Sequence, residues 1–137
     1  MALDVQVARD DEESIPKVDS ETHDVIIVGA GAAGIGVGIA IAHAGIENFL
    51  IVDRDTIGSS FSSWPEETRF ITPSFPSNSI GMLDLNSIAI GISPAFSMKV
   101  EHPTGKEYAK HLQDIAEYFE LPILEKTNVD SIEKIDG

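Results

Sequence analysis

Two apolar runs and a helical pattern organise the chain after residue 22. The run from Val25 to Val28 is continuously apolar and β-branched, which is typical of a parallel strand covered on both faces. A pattern that is apolar on almost all faces follows from about Ala32 to Ala44 and predicts a buried helix, which Gly45 ends. The second apolar run, Phe49 to Val52, predicts a neighbouring parallel strand.

A further helical pattern begins with the clearest start signal in the chain. Thr104 is a candidate N-cap, and Glu107 follows at the three-residue spacing of a capping box. One apolar face continues to about Phe119, and Ile123-Leu124 then begins a third short strand. The order βαβαβ predicts an α/β protein with a Rossmann-like, doubly wound parallel sheet, of which this is one mononucleotide-binding half.

The two ends of the chain depart from this order. Residues 1–21 contain seven acidic residues and few clustered large apolar side chains, so we expect an acidic disordered tail there. At the other end, Val129 to Ile135 alternates imperfectly and Asp136-Gly137 is a turn signal. This predicts half of a hairpin and therefore a truncated fold.

A glycine-rich turn lies between the first strand and the first helix. Gly29, Gly31 and Gly34 have the spacing G-x-G-x-x-G. The first glycine allows a tight turn, the second lets a pyrophosphate approach the backbone, and the third lets helix and strand pack closely. Ala32 and Ala33 begin the helix, whose free N–H groups and positive dipole end attract phosphate. The alternative, a glycine-rich turn in an unrelated α/β domain, does not explain strand, glycines and helix together.

Asp53 follows the second strand at about the expected spacing of ~20 residues. Its carboxylate is suited to accept hydrogen bonds from ribose hydroxyls and would repel a 2′-phosphate, which disfavours NADP at this site. Arg54 is adjacent and would weaken that repulsion. We therefore interpret residues 22–137 as a partial FAD/NAD(P)-binding Rossmann-like domain.

Composition excludes several other classes of function. The net charge of −14 disfavours binding to nucleic acid and to anionic membranes. Two explanations of that charge stay open, adaptation to high salt and an ordinary acidic protein with an acidic tail. Without cysteine the chain has no disulfide or thiolate metal site, its four histidines lie at no ligand spacing, and we assign no metal. Because it has no apolar run of ~18 residues and no basic signal segment, we expect a cytoplasmic protein.

The middle of the chain adds a family resemblance. Residues 56–103 lack a clear period, and a loop of that length is usually functional. The segment from Gly58 to Phe75, with Asn78-Ser79-Ile80-Gly81 after it, and the glycine turn together resemble the N-terminal part of the two-dinucleotide-binding flavoproteins. That superfamily includes flavin-containing monooxygenases and thioredoxin-reductase-like enzymes. The middle segment is most similar to the branch that includes bacillithiol disulfide reductases, and the resemblance covers roughly residues 23–137.

This resemblance implies a set of cofactor contacts. The glycine turn with Asp53 and Arg54 would hold the adenosine diphosphate half of FAD. The contacts along the pyrophosphate and ribityl chain would come from Ser59, Ser60 and Trp64. Those near the isoalloxazine would come from Arg69, Thr72 and Ser74. The residue types leave alternatives open, since Trp64 and Phe70 also suit core packing and Arg69 also suits a surface position.

The resemblance also implies a function, namely the FAD-binding portion of an NAD(P)H-dependent flavin oxidoreductase that is monooxygenase-like or disulfide-reductase-like. NAD(P)H would be the reductant if a domain with a second glycine fingerprint is supplied, and the substrate would be a small molecule. No catalytic residue is assigned. The alternatives are a non-catalytic dinucleotide-binding module, or a fragment that needs a partner chain or a missing C-terminal half. A single-fingerprint NAD dehydrogenase is disfavoured because the chain offers no plausible general base.

Overall fold

The computed structural model of the chain describes residues 2–9, 22–74 and 86–136. In chain order its elements are β1 (Ala2–Arg9), β2 (Val25–Val28), α1 (Ala32–His43), β3 (Phe49–Val52), α2 (Ser59–Ser62), α3 (Pro94–Ser97), α4 (Gly105–Tyr118), β4 (Ile123–Leu124) and β5 (Thr127–Ile135). The two apolar runs and the Ile123-Leu124 pair therefore form strands with the predicted bounds.

A three-stranded parallel sheet in the order β2-β3-β4 forms the centre of the fold. Along the first pair, Val25 aligns with Phe49 and Val28 with Val52, so both strands end at the same edge. α1 connects β2 to β3, and α4 lies in the connection from β3 to β4. This alternation of parallel strands and helices confirms the predicted α/β, Rossmann-like fold.

The hydrophobic core joins α1, β3 and α4. Its buried residues are Ala30, Ile35, Ile39, Phe49, Ile51, Ala89, Ile115 and Ala116. α1 approaches the sheet closely at Gly38, where an added Cβ would lie 2.7 Å from the Ile51 side chain. This contact explains why a glycine that weakens the helix is tolerated in its middle.

The prediction for the start of the chain differs from the structure, whereas the strand predicted near its end is present. Residues 2–9 form β1, which pairs antiparallel with β5, so this part of the predicted disordered tail is a strand. The remainder of that tail, residues 10–21, lies outside the described residues. Leu3, Val5 and Val7 alternate with smaller or polar residues, and this two-residue period is the strand signal that the acidic composition obscured. β5 thus has β1 as a partner that the sequence analysis did not predict, and the hairpin partner expected after β5 stays a prediction.

The start of α4 confirms the predicted capping box. The Thr104 hydroxyl accepts a hydrogen bond from the Glu107 N–H at 3.1 Å, and the Glu107 carboxylate accepts one from the Thr104 N–H at 2.7 Å. The helix ends at Tyr118, one residue before the predicted Phe119. Within the described part of residues 56–103, regular structure is confined to α2 and α3, which have four residues each.

Candidate functional site

A cavity of about 410 Å³ lies where β2 and β3 end. The residues that line it come from the glycine turn, the end of β3, α2 and the start of β5: Val28, Gly29, Gly31, Val52, Asp53, Arg54, Ser59, Ser60, Thr127, Asn128 and Val129. Ligands of open α/β sheets bind outside the carboxyl ends of the strands, which is the position of this cavity. Six of the predicted contact residues, from Gly29 to Ser60, thus lie around one space.

Two larger cavities lie along α4 and do not include the glycine turn. One, of about 560 Å³, is lined by the exposed face of α4 together with Ser97 and the buried His111. The other, of about 720 Å³, lies between α4 and β4. Size alone therefore does not select the site. The smaller cavity is preferred because it alone combines a helix N-terminus with a carboxylate at a strand end.

The tight turn after β2 depends on Gly29 and Gly34. Gly29 has φ +109°, a conformation that side chains other than glycine rarely adopt, and its N–H donates to the Val52 carbonyl at 2.7 Å. A Cβ at Gly34 would overlap the Gly29 carbonyl oxygen. The first and third glycines are therefore required by the protein itself, in the roles that the spacing predicted.

Gly31 has no such internal explanation. Its φ of −86° is open to any residue, and an added Cβ would meet no described atom within 4 Å. Gly31 is the N-cap of α1, where no side chain caps the helix and the first turn contains no acid. The free N–H groups of this turn, which includes Ala32 and Ala33, therefore remain available to an anion in the cavity.

Asp53 is held in place by the backbone around it. One carboxylate oxygen accepts a hydrogen bond from the Ala30 N–H at 2.6 Å, and the other accepts one from the Asp55 N–H at 2.8 Å. An ionised carboxylate has about four acceptor positions, so both oxygens retain capacity for further donors. The side chain is half-buried and lines the cavity. It is thus oriented to receive hydroxyl groups of a ligand.

The loop that carries Ser59 and Ser60 is tied back to the glycine turn. Gly58 has φ +72°, and its N–H donates to the Ala30 carbonyl at 3.0 Å. A Cβ at Gly58 would lie 2.9 Å from the Cα of Ala109 in α4. Gly58 therefore brings α2 against both the turn and α4, and this is how the two serines reach the cavity wall.

The start of β5 adds lining residues that the sequence analysis did not single out, namely Thr127, Asn128 and Val129. Thr127 is 1% exposed, and its N–H donates to the Asp53 carbonyl at 2.8 Å. Their general location has a sequence signal, because they follow β4 after two residues and parallel strands end at one edge of a sheet. The length of the turn between β4 and β5 decides which of them reach the cavity, and that length has no sequence signature.

Trp64 lies in a cluster of aromatic rings. Its ring centroid is 5.4 Å from that of Phe61 and 5.0 Å from that of Phe70. Phe61 and Phe70 also contact Tyr108 of α4, at 4.7 and 4.8 Å. These four rings, Phe61, Trp64, Phe70 and Tyr108, form what we call the aromatic cluster, and none of them lines the cavity. The geometry favours packing for Trp64, and its predicted cofactor contact stays a prediction.

The three residues predicted near the isoalloxazine also lie away from the cavity walls. Arg69 is exposed and donates to the His102 carbonyl at 3.3 Å. The Thr72 hydroxyl donates to the Ser74 carbonyl at 3.0 Å. The side chains of Arg69 and Thr72 thus bind nearby backbone, and the roles of all three residues toward a flavin remain predictions.

The described residues show neither a metal cluster nor a membrane-spanning helix. Across residues 22–74 and 86–136, no three His, Cys, Asp or Glu side chains come together in a way that could hold a metal ion. Among the helices that the structure describes, none is both long and apolar enough to cross a membrane.

Comparisons with solved structures agree with this architecture. The bacillithiol disulfide reductase Bdr (YpdA) from Staphylococcus aureus is similar over 83% of this chain and 31% of its own, with a TM-score of 0.67 and 18% sequence identity. The corresponding reductase from Bacillus cereus is similar over 74% of this chain and 28% of its own, with a TM-score of 0.56 and 18% identity. At that identity the likeness shows the fold, and this chain spans less than a third of the length of either reductase.

A match to a family model adds evidence from the sequence to the structural likeness. The model described as pyridine nucleotide-disulphide oxidoreductase matches residues 26–137. The match includes the glycine turn, Asp53 and all of the parallel sheet except the first residue of β2. It confirms the flavoprotein resemblance that the glycine turn and the middle segment predicted. The chain belongs to the pyridine nucleotide-disulphide oxidoreductase family.

Proposed function

We propose that the cavity binds the adenosine diphosphate half of FAD, and that the chain is the FAD-binding portion of an NAD(P)H-dependent flavin oxidoreductase. Gly31 is the observation that carries this proposal. Neither its backbone conformation nor the packing of the described residues around it requires a glycine, and the absence of a side chain would let a pyrophosphate approach the backbone at the cavity wall.

The lining residues suit the successive parts of such a ligand. The uncapped N-terminus of α1 and the Ser59 and Ser60 hydroxyls provide donors for a pyrophosphate. The Asp53 carboxylate provides acceptors for ribose hydroxyls. A volume of about 410 Å³ lies within the range of roughly 300–1,000 Å³ that is usual for small-molecule sites. The site thus has a donor end and an acceptor end in the order that adenosine diphosphate requires.

The chain's own contribution is to bind and orient the cofactor. Members of the family generally bind FAD and use NAD(P)H, and the flavin, when bound, would supply the hydride and electron chemistry. Asp53, fixed by two backbone N–H groups, would set the position of the adenosine ribose. The cysteine-free sequence holds no redox thiol of its own. If the substrate is a small disulfide, as the names of the similar reductases suggest, a thiol pair would come from that substrate or from elsewhere in the enzyme.

A second candidate function is a dinucleotide-binding module completed by another polypeptide segment. β2 is an edge of the described parallel sheet, and Val28 at its end is 60% exposed. Parallel sheets are normally covered on both faces and flanked by further strands. A further strand beside β2 would bury this edge next to the cavity, which Val28 also lines.

Titration of the purified chain with FAD, followed by flavin fluorescence and by absorbance after desalting, tests the proposal. We expect FAD to bind, ADP to displace it in competition, and FMN, which lacks the adenosine half, not to bind measurably. The titration is repeated at high salt, because the charge of −14 opposes binding of an anionic ligand and is screened by salt. Failure of both FAD and ADP to bind at any salt concentration would contradict the proposed site.

A further inference from the structure

The turn that follows β3 is attached to the start of β5 at several points. The Thr127 N–H donates to the Asp53 carbonyl at 2.8 Å, and the Lys126 N–H donates to the Asp55 carbonyl at 3.0 Å. On the side of β4, the Asp53 N–H donates to the Leu124 carbonyl at 2.9 Å. The backbone of residues 53–55 is therefore held against residues 124–127.

Lys126 adds a side-chain contact to this attachment. Its ammonium nitrogen lies 2.6 Å from a carboxylate oxygen of Asp55. The hydrogen bond from Lys126 is the main reason why the pKa of Asp55 is lowered, followed by the Thr56 N–H and the charge of Lys126. Lys126 also has φ +53°, a conformation that costs free energy for a residue with a side chain. A conformation of this kind persists only where surrounding contacts enforce it.

The contact reaches Asp53 through one residue. Lys126 contacts Asp55 at two points, the carbonyl through its N–H and the carboxylate through its ammonium group. The Asp55 N–H in turn donates a hydrogen bond to the second carboxylate oxygen of Asp53. Neither Asp55 nor Lys126 is among the residues that line the cavity. The hydrogen bond from the Asp55 N–H to Asp53 therefore gives a route by which a change at Lys126 would alter the orientation of the Asp53 carboxylate.

We propose that Lys126 is a positioning residue, which fixes the Asp53 carboxylate toward the ribose hydroxyls of a bound adenosine nucleotide by holding Asp55. This inference rests on the proposed function of the cavity, and it assigns a role to a residue pair outside the cavity walls. The ion pair is exposed, so its removal is expected to weaken binding modestly, in the range of about threefold.

The experiment compares Lys126→Met with Lys110→Met. Lys110 is a matched control because it forms an ion pair with Asp114 on α4 and has similar side-chain exposure, 67% against 65% for Lys126. ADP and its analogue without the 2′- and 3′-hydroxyls, 2′,3′-dideoxyadenosine diphosphate, are titrated against each variant by calorimetry or by displacement of FAD. We expect Lys126→Met to weaken ADP binding about threefold and to leave binding of the dideoxy analogue unchanged. Lys126→Arg, which keeps the positive charge, should bind ADP as the wild type does.

The outcomes separate this inference from the proposed function. If the wild-type chain does not bind ADP, the proposed function fails and the positioning role fails with it. If the wild type binds ADP but Lys126→Met behaves like Lys110→Met, only the positioning role is overturned. Equal weakening of ADP and of the dideoxy analogue would also overturn it, because a general structural effect does not depend on ribose hydroxyls.

Discussion

The cavity at the strand ends and the aromatic cluster both contain residues predicted to contact a flavin cofactor, in the cluster Trp64, and the two regions are built in different ways. In the cluster, each of the four rings packs against at least two of the others. In the cavity, the lining includes two glycines, three hydroxyl side chains and one oriented carboxylate beside valines, Arg54 and Asn128. The first region is accounted for by contacts within the chain, whereas the second presents groups that are directed into open space.

Two glycines, one in each region, illustrate this difference. Gly105, at the start of α4 beside the aromatic cluster, has no room for a Cβ, which would overlap the Phe61 carbonyl oxygen. Gly31 has room for one and no backbone strain, and is nevertheless a glycine. Gly31 also lines the cavity, and this position together with the open space around it supports a ligand contact there.

The largest effect is expected for Gly34→Ala. The new Cβ would overlap the Gly29 carbonyl, which is backbone and has no rotamer to relieve the clash. We expect the free energy of unfolding to fall by about 3 kcal/mol or more, a large share of the roughly 5–15 kcal/mol that a domain has. Urea denaturation followed by circular dichroism measures it.

Gly36→Ala is the matched control for this change. Gly36 lies in the same helix, and its added Cβ would lie 3.5 Å from the Ile88 carbonyl oxygen, an ordinary contact distance. Alanine is then expected to stabilise the helix, by up to about 1 kcal/mol. Similar destabilisation by both substitutions would show that Gly34 does not lie as close to the Gly29 carbonyl as described above.

Gly31→Val is expected to weaken ligand binding, whereas Gly34→Ala is expected to weaken folding. Two methyl groups would stand in the cavity at the helix N-terminus, where the pyrophosphate is proposed to lie. We expect FAD binding to be abolished and the free energy of unfolding to change by no more than about 1 kcal/mol, which is typical of an N-cap substitution. Flavin fluorescence titration beside urea denaturation measures the two effects. Unchanged FAD affinity would refute this placement of the site.

The sequence predicted the elements that depend on local signals better than those that depend on distant contacts. Local signals were sufficient for β2, β3, α1 and the capped start of α4, because apolar period, glycines and a capping box each act within a few residues. The partner of β5 could not be predicted, because pairing with β1 joins residues more than a hundred positions apart. β1 itself has a two-residue period that the acidic composition outweighed.

For the site, the motif predicted Gly29, Gly31 and Asp53, the family resemblance implied Ser59 and Ser60, and the structure brings these residues around one cavity. It could not predict the contribution of Thr127 to Val129, because their position depends on how β5 leaves the sheet. Nor could spacing distinguish Trp64 as a ligand contact from Trp64 as a packing residue, since both roles need an aromatic side chain near the same loop.

Trp64→Leu tests that distinction. If the aromatic cluster is a packing unit, loss of the two ring contacts should lower the free energy of unfolding by about 1–2 kcal/mol and leave FAD and ADP affinities unchanged. Tyr118→Leu serves as the control, because Tyr118 is exposed and is expected to change stability by less than about 0.5 kcal/mol. Weaker binding of FAD with unchanged binding of ADP would instead assign Trp64 to the flavin side of the cofactor.

The smallest effect is expected for Glu107→Gln, which removes a charge in the first turn of α4, next to Tyr108 in sequence, and keeps the capping box. The hydrogen bond from the Thr104 N–H, and then that from its hydroxyl, lower the pKa of Glu107. A carboxyl whose pKa is lower in the folded state contributes stability above its unfolded pKa, near 4.3, and loses that contribution as the pH falls through the folded value. Glutamine accepts the same backbone hydrogen bond but does not titrate.

The stability of the wild type should therefore exceed that of Glu107→Gln by roughly 0.3–1 kcal/mol near neutral pH, and the difference should vanish as the pH is lowered through the folded pKa. Urea denaturation at a series of pH values measures this difference. The control is Glu117→Gln, an exposed change near the other end of α4.

Tyr108, the residue next to Glu107, belongs to the aromatic cluster. The fluorescence of Trp64, the single tryptophan, should therefore report the same pH dependence. FAD affinity should show no parallel difference between the two proteins, since the capping box and the cavity share no residue. A parallel change in FAD affinity would mean that the two regions are coupled through α4, and the contrast between them would fail.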